Sequence, residues 1–521
     1  MGAGPDGEAL SGPARAVASV LLGLLACALL VANTAALHRD TDFEELSAYR
    51  RLWSDLALGV AGYVEAGYPI SPQRAPRKTW APDPVTATRR ILLEKIAQQE
   101  IRPWQFWRVV RDEPFVRERL AAPVGAYDDI GRGLVLASAF RARGGIAPFL
   151  ILWLAPLLLL PVLMWIAFEA FRAGAGMAGA VFLLLLGLSP YVVESLALVR
   201  SAVGFYLVAL VVLAPLAVYG ILGPPPSRSG LAGRWACAGF VFGVCALCRS
   251  GALFLLPGLA LIVVLSVRRL PAKDTRLPAA VVALAVFLAP FALLRPPQHH
   301  DIWAAVWEGL GDFDRTKGHV WSDPVAEDRV RSKGAPGRLS DEGMAVMRAD
   351  VLEHIRYDPG WYAGILARRT LATVTQSRLW PTVRRDGLWM RRSTSPNEGF
   401  MDKYYAYTTT ADFLGFGKDG QIELPVALLV LPAIILLGWA AADRRVRGHA
   451  AVTIALMAAA LPLPVLITTA GGMEPQAFVV AYLLGAALLA DAAGRAIRNR
   501  MESTGRIHGT RAPLAPPMGD R

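Results

Sequence analysis

Four carboxylates lie within six residues at the start of the first long polar stretch. Asp40, Asp42, Glu44 and Glu45 belong to the segment "RDTDFEE", directly after the first apolar run. A carboxylate at such a place can take a proton from a hydroxyl or amine as a general base, or it can hold a divalent cation. The same residues also suit the first turn of a helix beginning near Glu44, because a helix dipole favours negative charge there. The residues alone leave both interpretations open.

A second polar group fills the segment "HHDIWAAVWEGLGDFDRTKGHVWSD", residues 299–323. Tryptophan rings beside carboxylates commonly hold sugars, although tryptophan also anchors chains at a membrane interface without any ligand. The His and Asp spacing matches no zinc signature. We expect a substrate-binding surface here, joined by Glu45 of the first group, with the candidates His300, Asp312, Asp314, Lys317, His319, Trp321 and Asp323.

Arg249 is the third candidate because it interrupts the apolar segment "CALCRSGALFLLPG". A charge inside an apolar run is costly and therefore suggests function, and a guanidinium binds phosphate oxygens in a fork. The alternative is a loop residue whose charge reaches the membrane surface. Cys245 and Cys248 in the same segment match C-x-x-C, but no second pair supports a zinc site, so we interpret them as apolar filler.

Long apolar runs must position these residues. The chain has 521 residues, 54% of them hydrophobic, with a mean hydropathy of +0.39. Residues 16–37 carry no charge, and a helix of this length crosses a hydrocarbon core of roughly 30 Å. We predict about ten transmembrane helices, with uncertain boundaries at Pro190 and Arg249, over residues 16–37, 147–168, 177–193, 196–219, 235–248, 252–267, 278–294, 425–442, 450–469 and 476–489.

This division predicts an all-α polytopic membrane protein with two large, mainly helical outer segments. The first span covers 16–37, about six helices cover 147–294, and three more cover 424–494. The outer segments are 38–146 and 295–423, and the inner tails are 1–15 and 495–521. In the second outer segment we predict one helix capped by Ser340 and another beginning at Pro359, whose Trp, Tyr and paired Arg suit the headgroup layer.

Charge distribution predicts the orientation. The stretches assigned to the inside carry about twice as many basic as acidic residues, in agreement with the positive-inside bias. Both termini are therefore expected in the cytoplasm. The net charge of +12 is spread over many short segments, which argues against nucleic-acid binding because that requires one basic face. The Ala, Gly, Arg and Pro content favours a bacterial chain, and hence a bacterial inner-membrane location.

The arrangement resembles the GT-C superfamily of polytopic membrane glycosyltransferases, in particular the family-39-like protein mannosyltransferases and lipid A aminoarabinose transferases. The likeness lies in "RDTDFEE" after a first span, in "FGVCALCRSGALFLLPGLAL", in "ADVLEHIRYDPGWYAGILARR" and in "WEGLGDFDRTKGHVWSD". The resemblance implies transfer of a sugar from a polyprenyl-phosphate carrier at the outer membrane face. It implies an acid or base at Asp40 or Asp42 and a carrier-phosphate cation at Arg249.

We therefore expect an inverting glycosyltransferase acting on a lipid, glycan or protein acceptor, with membrane lipids around it and no nucleic acid. The sequence identifies no cofactor with certainty, and a divalent cation at the carboxylates is an alternative. Two other functions are considered. A transporter or flippase of a lipid-linked or anionic solute would need polar residues along several spans. The predicted spans of this chain consist mostly of Leu, Ala and Val, which argues against that function. A non-catalytic scaffold for envelope assembly would tolerate the loss of any single carboxylate.

Overall fold

The computed structural model describes residues 12–40, 147–189, 192, 203–224, 228–267, 276–294, 302–311, 317–319, 323–338, 340–374, 444–467 and 478–509. These residues are almost entirely helical, and no strand occurs among them. Most of the first outer segment, the predicted span 425–442 and the carboxylates Asp42, Glu44 and Glu45 lie outside them.

The apolar helices form one bundle. In chain order they are α1 (Gly12–Asp40), α2 (Ala147–Arg172), α3 (Gly176–Leu188), α4 (Val203–Ala217), α5 (Arg228–Cys248), α6 (Leu256–Val267) and α7 (Arg276–Leu294). A π-helical turn, Val218–Leu222, extends α4, and a 3₁₀ turn, Ser250–Leu255, precedes α6. The chain returns to the bundle in α12 (Arg444–Ala460), α13 (Pro462–Leu466) and α14 (Phe478–Gly509).

Within the part of the chain that the structure describes, four helical stretches are long and apolar enough to cross a membrane: Gly12–Asn33, Phe205–Leu222, Arg444–Leu466 and Phe478–Met501. Shorter apolar stretches cover Gly176–Leu188, Ala232–Cys248 and Ser250–Ser266. The expectation of an all-helical chain with membrane-spanning helices is thus met in its coarse form. The number of ten spans and the loop architecture remain predictions.

Among the described residues between α7 and α12, four helices occur. They are α8 (Trp303–Gly309), α9 (Asp323–Ser332), α10 (Asp341–Tyr357) and α11 (Pro359–Val374). The Ser340 side chain accepts a hydrogen bond from the Gly343 N–H at 2.9 Å, so the predicted cap of α10 is confirmed. Pro359 begins α11 as predicted. The sequence analysis predicted only these two helices in the segment, so α8 and α9 are additional.

Two other boundaries differ from the sequence expectation. The helix predicted over 450–469 breaks at Leu461 and resumes as the short α13, which begins with Pro462 at its first position. The last helix continues to Gly509, well into the segment predicted as a tail. Its exposed Arg498 and Arg500 show that the added turns are polar and leave the apolar bundle.

The bundle has two distinct ends. At the loop end, defined by residues 302–374 and 461–467, Arg369 of α11 donates to the carbonyls of Val465 and Leu466 at 3.1 and 3.2 Å. At the arginine end, defined by Arg172, Arg234 and Arg445, the Arg445 Nη2 donates to the Ala173 carbonyl at 2.6 Å. The two ends are joined by α12, which begins at the arginine end and finishes at the loop end.

Helix α1 also runs toward the loop end. The Asn33 Nδ2 donates to the Gly187 carbonyl at 2.7 Å, near the end of α3. Because α3 begins next to Arg172 and rises about 1.5 Å per residue, Gly187 lies far from the arginine end. Asp40 is the last residue of α1 and therefore lies at the end of this helix that is directed toward the loop end.

Candidate functional site

Arg249 lies at a break between two apolar helices. Helix α5 ends at Cys248, Arg249 adopts an extended conformation with φ −151° and ψ 102°, and the 3₁₀ turn begins at Ser250. The interpretation of this segment as a short turn, rather than one long helix, is confirmed. Gly251, two residues on, packs beside the Leu463 side chain of α13. Arg249 therefore belongs to the loop end.

Close contacts at Arg369 and Gly309 fix helices α8 and α11 to α13 of the bundle. The Arg369 side chain is fully buried and its guanidinium caps the carbonyl end of α13. Gly309, the last residue of α8, packs so closely that a Cβ there would overlap the Ile467 carbonyl oxygen and press on Arg369. Only glycine fits at this contact. Helices α8, α11 and α13 consequently meet at one point.

A histidine pair, His319 buried and His354 half-buried, lies among helices α8, α10 and α11. His319 Nε2 and His354 Nε2 are 2.8 Å apart, and the His319 residue is 3% exposed. Burial, followed by the charge of nearby groups, lowers the pKa of His319 to about 4. Burial and then the Lys317 charge also lower the pKa of His354. Both rings are therefore neutral at pH 7, and one Nε2 donates to the other.

Aromatic rings surround this pair. The Trp307 ring meets the His319 ring edge-on with centroids 4.7 Å apart, and the Trp361 ring lies 5.2 Å from the ring of His354. Tryptophans from α8 and α11 thus enclose imidazoles from residue 319 and from α10. The enclosure accounts for the desolvation that keeps both imidazoles neutral.

Lys317 forms an ion pair with Asp358, directly before the start of α11. Its Nζ is 2.6 Å from the Asp358 Oδ2 and lies 4.5 Å from the centre of the Trp361 ring. Asp358 also caps α11 by accepting from the Trp361 N–H at 3.1 Å. The Lys317 hydrogen bond, followed by this cap, holds the pKa of Asp358 below its usual value. Gly318, with φ +78°, provides the left-handed turn between Lys317 and His319.

The buried carboxylate of Asp350 connects α9, α10 and the Trp307 ring that faces His319. Asp350 accepts two hydrogen bonds from Arg329, at 2.8 and 3.1 Å, and one from the Trp307 indole at 3.3 Å. Burial by itself raises the pKa of Asp350, but the Arg329 hydrogen bonds and charge outweigh it and lower that pKa. Glu308, which is 3% exposed, lies 3.5 Å from Arg338.

The structure accounts for some of the predicted site residues. Arg249, Lys317 and His319 all lie at the loop end, and Asp40 ends α1, which is directed there. Asp323 begins α9, while its side chain is outside the described residues. Asp42, Glu45, His300, Asp312, Asp314 and Trp321 lie wholly outside them, so their roles stay predictions.

Two important residues were missed by the sequence analysis. His354 was read only as part of a helix, because its partner His319 lies 35 residues away. Arg369 was assigned with Arg368 to the headgroup layer, which is wrong for Arg369, since this side chain is buried. A signal was present, because Arg369 follows the buried Ile365 by four residues and so shares its helix face.

Within the described ranges, no group of three or more His, Cys, Asp and Glu side chains could hold a metal ion. The divalent cation considered for the early carboxylates concerns Asp42, which lies beyond these ranges, and Asp40, whose backbone alone is described. It therefore remains an alternative.

No known protein family, no characterised protein and no solved structure matches this chain. The GT-C resemblance therefore stands on the quoted sequence segments alone.

Proposed function

We propose that this chain is an integral membrane glycosyltransferase. It takes a sugar from a polyprenyl-phosphate carrier and transfers it to a lipid, glycan or protein acceptor on the periplasmic side of a bacterial inner membrane. The observation that supports this proposal most is Arg249 at an extended break between apolar helices, at the end of the bundle that carries helices α8 to α11.

In this reaction Arg249 binds the carrier phosphate. The guanidinium fork matches two phosphate oxygens, and the cation stabilises the negative charge that grows as the sugar–phosphate bond breaks. The position between apolar helices suits a carrier whose polyprenyl chain stays in the bilayer while its phosphate reaches the membrane surface.

Asp42 is the proposed base, with Asp40 as its neighbour. The acceptor hydroxyl oxygen forms a bond to the anomeric carbon, the polyprenyl phosphate leaves from the opposite face, and the hydroxyl proton passes to Asp42. Inversion follows from this single displacement. Asp40 at the end of α1 supports the assignment because that helix runs toward the loop end.

The sugar contacts are assigned to Asp312, Asp314, Trp321 and Asp323, with Glu45 and His300. Lys317 and His319 already contact α10 and α11. We therefore give these two a supporting role, in which they fix the segment that carries the sugar-binding side chains.

The test is sugar transfer by the purified chain in proteoliposomes, with a series of polyprenyl-phosphate sugars. Removing a general base typically costs about 10²–10⁴-fold in rate, so the Asp40→Asn/Asp42→Asn double variant should lose activity on that scale. Arg249→Gln should lower kcat by about 10²–10³-fold. Asp341→Asn, which removes an exposed carboxylate from α10, is the matched control and should keep full activity.

Two outcomes would contradict the proposal. Normal turnover by the double variant would remove the proposed base. Carrier translocation across the bilayer without any sugar transfer would identify a flippase instead.

A further inference from the structure

Three arginines from three helices converge at the arginine end. Arg172 ends α2, Arg234 lies in the first turns of α5, and Arg445 lies in the first turn of α12. Arg234 donates through Nε to the Glu169 carboxylate and through Nη1 to the Gly230 carbonyl at 3.1 Å. Arg445 donates to the Ala173 carbonyl, one residue beyond Arg172.

The cluster carries more positive than negative charge. Arg172 and Arg234 share the single carboxylate of Glu169, which is 1% exposed. Both guanidiniums also lie over the Tyr219 ring, 5.2 and 4.4 Å from its centre. The single charge of Glu169 thus balances the two charges of Arg172 and Arg234 only in part, and an anion would complete the balance.

Arg172 has hydrogen-bonding capacity left for such an anion. Its Nη1 is 3.7 Å from the Glu169 Oε2, which is longer than a hydrogen bond. The side chains of Arg172 and Arg234 are 22% and 21% exposed, so their guanidiniums can be reached from outside the bundle. Their position at the ends of apolar helices is the depth at which lipid headgroups lie.

Exposed apolar side chains lie close to the same end. Val17 and Leu21 of α1 are 59% and 61% exposed, and Met177 of α3 is 47% exposed. Gly23 of α1 packs on Met164 of α2, two turns before Arg172, which locates these α1 residues near the cluster. A ligand with an anionic head and an apolar tail fits this combination of surfaces.

We propose that Arg172 and Arg234 form a binding site for the phosphate of an anionic phospholipid of the cytoplasmic leaflet. The phosphate oxygens accept from the forked guanidiniums, and the acyl chains lie along α1 and α3. The site is separate from the glycosyl-transfer site, which lies at the opposite end of the bundle.

The test is native mass spectrometry of the full chain in detergent, titrated with phosphatidylglycerol or phosphatidylcholine. The wild type should retain phosphatidylglycerol selectively. Arg172→Gln should weaken this binding by about tenfold, because it removes a forked phosphate donor. Arg498→Gln is the matched control, since it removes one exposed arginine from α14 beyond the same end, and it should change the affinity by less than about twofold.

A second variant covers the case in which Arg172→Gln fails to fold. Arg172→Lys keeps the charge but loses the fork, and it should show an intermediate loss of binding. The proposal is overturned if phosphatidylcholine binds as tightly as phosphatidylglycerol. Equal losses in the Arg172→Gln and Arg498→Gln variants would overturn it as well, and so would full displacement of the lipid by millimolar inorganic phosphate.

Discussion

The two ends of the bundle each bury a carboxylate that accepts from an arginine and a tryptophan. At the loop end Asp350 accepts from Arg329 and from the Trp307 indole at 3.3 Å. At the arginine end Glu169 accepts from Arg234 and from the Trp165 indole, also at 3.3 Å. The combination of a carboxylate, an arginine and a tryptophan thus occurs both among helices α8 to α10 and at the edge of the apolar bundle.

The surroundings of the two carboxylates differ. Asp350 binds one arginine, and the neighbouring titratable groups are the neutral histidines His319 and His354. Glu169 serves two arginines, Arg172 and Arg234. The loop end is therefore sensitive to pH, whereas at the arginine end two guanidiniums share one carboxylate.

The largest expected effect comes from removing each carboxylate charge in turn. Glu169→Gln should lower the free energy of unfolding by about 3 kcal/mol, because two largely buried guanidiniums lose their shared counter-charge. Asp350→Asn should lower it by only about 1 kcal/mol, because water hydrates Arg329, whose side chain is 42% exposed. Thermal unfolding followed by circular dichroism in one detergent compares the two. Equal losses would show that the two sites are energetically alike.

The next effect is the pH response of the loop end. His319 has a folded-state pKa of about 4, below its ordinary value of 6.5. As the pH falls below 6.5, His319 becomes protonated in the unfolded chain, whereas in the folded chain it stays neutral until about pH 4. Stability should therefore be complete above pH 6.5 and decrease by up to about 1.4 kcal/mol per pH unit below it.

Denaturation curves of the wild type and of His319→Phe between pH 7.5 and 4.5 check this response. The variant should have a shallower dependence, because it lacks the titrating ring. His354→Gln should keep part of the dependence, since His319 stays enclosed by Trp307. A His319→Phe curve parallel to that of the wild type would contradict the assignment.

The smallest effect is expected at Lys317. The ion pair between Lys317 and Asp358 is half-exposed, so Lys317→Met should change stability little, and high salt should erase the difference. The positive charge of Lys317 lowers the pKa of both His319 and His354. Its removal should therefore raise the folded-state pKa of His319, so that acid destabilises the Lys317→Met variant less and acid unfolding moves to a lower pH. A transition at the wild-type pH would exclude this coupling.

Features set by local sequence could be predicted. Ser340 and Pro359 define their helix starts through the backbone of the next few residues, and both predictions are confirmed. The break at Arg249 was foreseen as one of two alternatives, and the structure selects the turn. Each of these features depends on neighbours within about one helical turn.

Features set by distant partners could not be predicted. The contact between His319 and His354 depends on how α10 folds back on residues 317–319, which no local pattern reports. The short polar helix α9 was missed because its residues Asp323–Ser332 carry little apolar periodicity. The sequence thus predicts which residues are candidates for the site, but only part of how these residues are arranged.

The joint at Arg369 has a mechanical consequence. Arg369 donates hydrogen bonds to the carbonyl end of α13, and Gly309 packs against the Ile467 carbonyl that follows it. Leu463 of the same short helix packs beside Gly251. One five-residue helix therefore contacts α8, α11 and the backbone next to Arg249. We expect a tilt of α8 or α11 to displace α13 and with it the break at Arg249, so that these parts move together.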